Sequence, residues 1–434
     1  MTVFFGRFDL VNINSYLIVL LPFTLITGPF LSDLSIVIIG VSFLILISKE
    51  KNFKFFKNYF FYIFLIFYIY INFVTFITNP NIDSIRISMS YIRFILFTLG
   101  VWYFLEKNET ILKKLFFSFL LSFSILIIDG YIQYFFGKNI IGYEISTGPR
   151  ISSFFDKELI LGSYISRLFP IFYGLAIFFV KDIKKLSFIS IIFIFAETLV
   201  FLSGERASFF YINLSAIYVL ILIQKYKLLR LTTLAFSIFI IFLLISTNEN
   251  TKSRIIDLTL EQTGICSTSK ICGNKENVNQ KVEIYFFSPI HESIYISAYK
   301  MFLDNKIIGI GVKNFKNLCN FERYKVSKFS CSTHPHNTYL QVLTELGLVG
   351  FTMLTCIFFT FIFFSIKQLF CLLKNKPYFN DLEVCLLSSI LITLWPIIPT
   401  GNFFNNWLSI IFYFPLGIFL WSFTNNINNN KKLS

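Results

Sequence analysis

The sequence predicts an all-α polytopic membrane protein of about 12 transmembrane helices, with one large, partly helical loop late in the chain. Three observations carry this. Of 434 residues 55% are hydrophobic and only 14% charged, with a mean hydropathy of +0.69, a balance foreign to soluble multidomain proteins. Apolar runs near the length that crosses a hydrocarbon core recur along the chain. Between them Lys and Arg stand in short clusters, as the positive-inside rule requires. The 59 phenylalanines reflect a broad compositional bias, so a single Phe stripe reads as lipid-facing or packed.

The first span runs from about Ser15 to Thr27, extendable upstream to Leu10, and breaks at Pro29 to Asp33. The second, Leu34 to Ile47, leads into the basic run Lys49 to Lys57, which marks the cytoplasmic side. Span three is Tyr59 to Ile77, span four Ile87 to Leu105, span five Leu115 to Tyr134, followed by an outer loop of Phe135 to Glu158. Spans six (Leu161 to Val180) and seven (Leu186 to Leu202) meet at the basic KDIKK, and SGERAS follows span seven. Spans eight (Phe209 to Ile223) and nine (Leu231 to Ile245) flank KYKLLR. Spans ten (Thr338 to Ile366), eleven (Val384 to Ile398) and twelve (Trp407 to Trp421) close the chain before a basic tail. With both termini inside, the short cytoplasmic segments hold 19 Lys or Arg, and the outer connections other than the largest hold 5. That asymmetry puts residues 246–337 outside. The chain thus divides into a bundle of about nine helices (1–245), a loop domain (246–337), and C-terminal helices with a tail (338–434). No cleavable secretory segment is expected, since a second apolar stretch follows the first at once.

A net charge of +14 raises nucleic acid as a partner, but no separate soluble domain carries it. Anionic lipid or phosphate groups fit the distribution better.

The outer interval is too long for a structureless loop. Ile290, Ile294, Ala298, Met301 and Phe302 approximate one apolar helical face, predicting an amphipathic helix near the membrane surface that stops at Asp304 and Asn305 before the turn at Gly309 and Gly311. An oxidising outer compartment permits disulfides. Cys266 with Cys272 and Cys319 with Cys331 are the preferred local pairs; cross-pairing and free thiols stay open, and zinc is the weaker reading because the spacings match no strong pattern. Cys356, Cys371 and Cys385 are expected to pack as small apolar groups.

Arginines at membrane depth are costly unless they are paired or reach water. Arg86 and Arg93 stand about two helical turns apart and are expected to share a face. Arg150, Arg167, Arg206 and Arg254 join them at the outer surface, where their guanidinium groups suit a diphosphate; snorkelling or anchoring is the plain alternative. His336, just before span ten, is a candidate base, with Glu345 to orient it or bind substrate. The plain alternative there is a solvated histidine followed by the helix cap Asn337. His291 is placed in the same cleft and His334 beside the base. Asp156, Glu158 and Glu205 could hold the arginines or contact a sugar. No cofactor is implied, and no His-x-x-x-His or carboxylate cluster suggests a metal.

Four segments in order, RISSFFDKELILGSYISRLFP, FLSGERASFF, HESIYISAYKMFLDNKIIGIGVKNF and HPHNTYLQVLTELGLVG, resemble the O-antigen ligase and polymerase superfamily of bacterial envelope glycosyltransferases. The last is the most specific. The resemblance implies a GT-C-like, multi-pass inner-membrane enzyme with a periplasmic site, taking a glycan from undecaprenyl diphosphate. It passes this to lipid A core as a ligase, or to another lipid-linked repeat unit as a polymerase, without a metal. The motif positions carried over are Arg206, Arg254 and His336 as catalytic residues, flanked by Arg150 and Arg167. Where the ligase motif has a small residue before the arginine, this chain has Glu205, which leaves the charge around Arg206 open. A lipid-linked glycan transporter is the competing class, and a purely structural membrane protein the plain one.

Overall fold

A computed structural model describes residues 10–78, 80–145, 150–247 and 287–433. The helices are α1 (Leu10–Thr24), α2 (Pro29–Glu50), α3 (Tyr59–Ile77), α4 (Ile82–Ser90), α5 (Ile92–Lys107), α6 (Thr110–Phe136), α7 (Leu161–Phe179), α8 (Ile183–Leu202), α9 (Arg206–Leu222), α10 (Lys227–Thr247), α11 (Pro289–Asp304), α12 (Thr338–Leu373), α13 (Asp381–Thr393) and α14 (Asn406–Leu433). Their starts follow ordinary capping chemistry. Asn58, Asn81 and Asn337 each accept a backbone N–H of the first turn, and Asn380 with Glu383 forms a capping box on α13.

The chain is a multi-spanning helical bundle. Among the described residues 9 helical stretches are long and apolar enough to cross a membrane, α4 and α5 counting together. A helix also stands at the other expected spans, but α1, α9 and α13 have 15, 17 and 13 residues, short of the ~20 a full crossing takes. For α13 the reason is visible. The chain leaves the helix at Leu394, and the first turns of α12 satisfy its backbone: the Tyr339 hydroxyl donates to Leu394 O at 2.8 Å, Asn337 Nδ2 to Pro396 O at 2.7 Å, and Gln341 Oε1 accepts from Phe403 N at 2.9 Å. Irregular backbone at membrane depth survives only with such internal partners.

α7 is the central helix. Its residues are buried nearly all round, as in a helix surrounded by protein, and it packs on α13, α9, α8 and α6. α10, by contrast, exposes Phe236, Phe239 and Phe242, the surface of a lipid-facing helix. A second packing group joins α2, α5 and α14.

α12 breaks at Gly347 (φ 66°, ψ −165°), a backbone conformation that is essentially glycine's alone. The Gly-Ile-Gly loop repairs the break: Ile310 N and Gly311 N donate to Thr344 O and Glu345 O at 3.0 and 2.9 Å, and Leu348 N donates to Lys306 O at 2.8 Å. The Tyr70 hydroxyl takes Leu346 O at 2.6 Å. A Cβ at Gly347 would stand 2.2 Å from Ile307 O, and one at Gly309 2.5 Å from Glu345 C. The two glycines therefore interlock.

α11 buries Ile294, Ala298, Met301 and Phe302 as expected, but Ile290, in its first turn, is exposed. Cys319 and Cys331 are disulfide-bonded; Cys266 and Cys272 lie outside the described residues. Of the remaining cysteines only Cys385 is buried, against Gly174 of α7, while Cys371 is half-buried and Cys356 exposed on the outside of α12, so the expected packing holds fully for one of them.

Candidate functional site

The site is built where the corner between α8 and α9 meets the first turn of α7. Glu205 accepts Gly162 N–H at 2.7 Å, Ser163 N–H at 2.9 Å and the Ser208 hydroxyl at 2.9 Å, so its charge is spent on the positive N-terminus of α7. Gly162 is required for that approach, since a Cβ there would stand 2.8 Å from Ser203 Oγ and 3.1 Å from Glu205 Cδ. Burial raises the Glu205 carboxyl above its ordinary range, and hydrogen bonds from Ser208 and Gly162, the Arg150 charge and Ser163 oppose the shift.

Three guanidinium groups surround this corner. Arg150 Nε donates to Ser203 O at 3.2 Å, Arg167 in α7 is 2% exposed, and Arg206 opens α9. Arg150 lies within electrostatic reach of both Glu205 and Arg206, and Arg167 of Glu205. Arg167 donates to the Ser163 hydroxyl, and its guanidinium lies 4.6 Å from the centre of the Tyr211 ring, a cation–π contact.

The loop bearing Arg150 is held by two side chains of α6. Asp129 accepts from Ile140 N at 2.9 Å and from Ser153 Oγ, and Gln133 Oε1 accepts from Ser152 N and Ser153 N at 2.9 and 2.8 Å. One helical turn separates them, so both meet the same loop.

The three histidines cluster together, and His291 lies within electrostatic reach of Arg206. His291 and His336 have ring centres 5.7 Å apart, His334 and His336 4.1 Å. His336 is left-handed (φ 55°), its carbonyl accepts Thr400 N–H at 2.9 Å, and its Nε2 is 2.8 Å from Ser332 Oγ. Ser332 follows Cys331, so the disulfide to Cys319 anchors the loop that orients the imidazole. Burial lowers the basicity of His336, and the charge of His291 lowers it further. Burial and Arg206 do the same for His291, while burial and His336 bring His334 down to about 4. Each imidazole is therefore neutral at neutral pH.

The other expected site residues stand elsewhere. Arg86 is exposed on α4, while Arg93, beyond the break at Tyr91, is tied to Asp33 and Asn406; helical spacing alone hid those partners. Glu345 is fully buried, accepts from Gln341 Nε2 at 3.1 Å and faces the backbone N–H groups of Lys313 and Phe315, not His336. His336 lies before the Asn337 cap with a left-handed backbone, outside the helix that carries Glu345, so helical spacing does not bring the two together. Asp156 and Glu158 form no salt bridge among the described residues; Glu205 stands with the arginines instead. Arg254 lies outside the described residues.

Asp129, Gln133, Glu197, Tyr211 and Thr400 escaped the sequence reading. Asp129 and Glu197, each fully buried, could have been found as lone acids inside apolar runs. Glu197 accepts from the Ser237 hydroxyl of α10 at 2.6 Å. Thr400 carries no such signal, since its role depends on a tertiary contact.

These features define a polytopic membrane protein with a cationic, imidazole-bearing site beside the start of its central helix. Residues 189–355 match the family model described as O-antigen ligase. The match supports a role in glycan ligation for O-antigen biosynthesis. The match covers the corner at Arg206, α11 and the histidine loop; Arg150 and Arg167 precede it and Thr400 follows it. No curated protein matches the chain.

Proposed function

We propose that the protein transfers a glycan from undecaprenyl diphosphate to a sugar of lipid A core, at the periplasmic face of the inner membrane. The observation that carries this reading is the meeting of an anion site with an apolar one. The histidine loop adjoins a cavity of about 430 Å³: Thr400, whose N–H donates to the His336 carbonyl, and Thr338 line it together with Phe67, Trp102, Phe361, Phe412, Asn58 and Thr424. A lipid-linked diphosphate needs both: guanidinium donors for its oxygens and an aromatic channel for part of its tail.

In the reaction the acceptor hydroxyl attacks the anomeric carbon, the carbon–oxygen bond to the diphosphate breaks, and the configuration inverts. Arg206, with Arg254, Arg150 and Arg167, takes up the charge developing on the leaving diphosphate. His336 accepts the hydroxyl proton. When its Nε2–H donates to Ser332, Nδ1 carries the lone pair that does so. Glu205, by capping α7, keeps a carboxylate among the arginines without cancelling them.

The test is transfer by the purified protein in lipid vesicles from undecaprenyl diphosphate-linked glycan, with lipid A core or a second lipid-linked repeat unit as separate acceptors, read by product mass. Product on lipid A core supports the reading. Growth of the lipid-linked chain would replace it with a polymerase, and movement of glycan across the vesicle with no new bond would replace it with a transporter.

A further inference from the structure

Between α7, α9 and α11 three polar atoms are buried without a hydrogen-bond partner among the described residues: Arg167 Nε, Tyr211 Oη and Tyr295 Oη. Arg167 is 2% and Tyr211 0% exposed, so solvent does not satisfy them. Buried polar atoms are nearly always paired, and an unpaired one costs free energy unless a ligand completes it.

The three stand together and beside the site. The Arg167 guanidinium lies 4.6 Å from the Tyr211 ring centre. The two phenols are within electrostatic reach of one another, and the Tyr295 ring centre is 6.0 Å from that of His291. The Tyr211 hydroxyl faces Thr400 without closing a hydrogen bond of normal geometry, and the N–H of Thr400 is the group that holds the His336 carbonyl. The Arg167 Nε–H can only donate, and a phenol has an O–H to give. A set of donors around a fixed cation suits an anion rich in oxygen, and a phosphate is of that class.

We propose that Tyr211 and Tyr295, with Arg167, form a binding subsite for the diphosphate of the substrate, one residue contact away from His336. The subsite rests on the transfer reading above and extends it. Its consequence is positional: an anion held by the Tyr211 hydroxyl is fixed with respect to Thr400, and through the Thr400 backbone with respect to the base that must meet the acceptor.

The experiment uses Tyr211→Phe and Tyr295→Phe in the full-length protein, changes that remove one oxygen and keep the ring. Each is expected to lower kcat/KM for the lipid-linked donor roughly 10- to 100-fold, the usual loss for a hydrogen bond to a charged group. Thermal stability should be unchanged or higher, since a buried unpaired hydroxyl is gone. Inorganic pyrophosphate, titrated by calorimetry, should bind the wild type and bind each variant about tenfold more weakly, while sulfate at the same concentration does not compete.

Wild-type pyrophosphate affinity in both variants overturns the subsite, whether or not their activity falls. Activity lost only in step with a lower melting temperature also overturns it, because that marks a packing role. If the wild type makes no glycosidic product yet the pyrophosphate series behaves as expected, the transfer reading fails and the anion subsite stands.

Discussion

Arg93, half-buried in one region of the bundle, and Arg167, buried in another, are treated differently by their surroundings. Between α2, α5 and α14, Arg93 donates to Asp33 Oδ1 at 3.0 Å, Ser90 O at 2.9 Å and Asn406 Oδ1 at 2.6 Å, and lies 4.6 Å from the Phe94 ring centre. Between α7 and α9, Arg167 has the Ser163 hydroxyl and the Tyr211 ring face, and its Nε has no hydrogen-bond partner among the described residues. In the first region the guanidinium is consumed by the fold. In the second, donor capacity remains beside the histidines. Charge at membrane depth therefore does not by itself identify a site, and neither does an unpartnered nitrogen, since the Nε of buried Arg230 has no hydrogen-bond partner among the described residues either; unspent donor capacity beside other functional groups does.

The sharpest way to break this contrast is to mutate both regions and measure transfer and melting together. His336→Ala should reduce transfer by about 10²- to 10⁴-fold, the range of a lost general base, and Arg206→Ala by about 10²- to 10³-fold, each with little change in thermal stability. Arg93→Met should do the reverse: destabilise by about 1–2 kcal/mol, since charge-assisted hydrogen bonds are lost at a partly buried site, and leave transfer per folded molecule near wild type. A loss of transfer in Arg93→Met without a loss of stability would end the distinction.

Gly347→Ala asks whether the break in α12 is structural. A Cβ there meets Ile307 O at 2.2 Å, and the backbone conformation excludes a side chain, so the substitution should cost roughly 3 kcal/mol. Faster hydrogen exchange is expected at Ile310, Gly311 and Leu348, whose N–H groups bridge the break. Unchanged exchange there would mean that the interlock does not hold the loop.

How far the sequence reveals these regions follows from range. The spans are legible because lipid imposes apolarity on every residue of a crossing helix, and α2, α3, α6 and α8 lie close to where the hydropathy puts them. The histidine motif is legible as a motif, but half of it serves as a brace: Asn337, Tyr339 and Gln341 satisfy the chain from Leu394 to Phe403. Arg93 and Glu345 misled because a helical face shows which way a side chain points and not what waits there. Glu205 could not be read as the cap of α7, since Gly162 and Ser163 lie over 40 residues away.

The disulfide tests how the histidine loop is supported. Cys319→Ser with Cys331→Ser opens a crosslink between residues 12 apart, worth roughly 2–3 kcal/mol. Loss of the anchor beside Ser332 should also lower transfer several-fold. Ser332→Ala, which leaves the crosslink intact, should lower transfer by a similar factor without the loss of stability. Full activity in Ser332→Ala would show that the His336 ring is positioned by other groups.

The smallest effect on transfer separates the two histidines in that loop. An unfolded imidazole takes up its proton near pH 6.5, whereas buried His334 does so only near 4. Between these values the unfolded chain binds more protons, so stability falls as pH is lowered from about 6.5 to about 4 and levels off below. The whole window is worth on the order of 3 kcal/mol, and above pH 6.5 His334 contributes no slope. His291 and His336, also lowered by burial, add a slope of the same sign. His334→Gln should therefore flatten the dependence of melting temperature on pH without abolishing it, and leave transfer at pH 7 within a few-fold of wild type. A protein that grows more stable on acidification through this window would show that these imidazoles bind protons more tightly when folded, and the neutral base assigned to His336 would lose its footing.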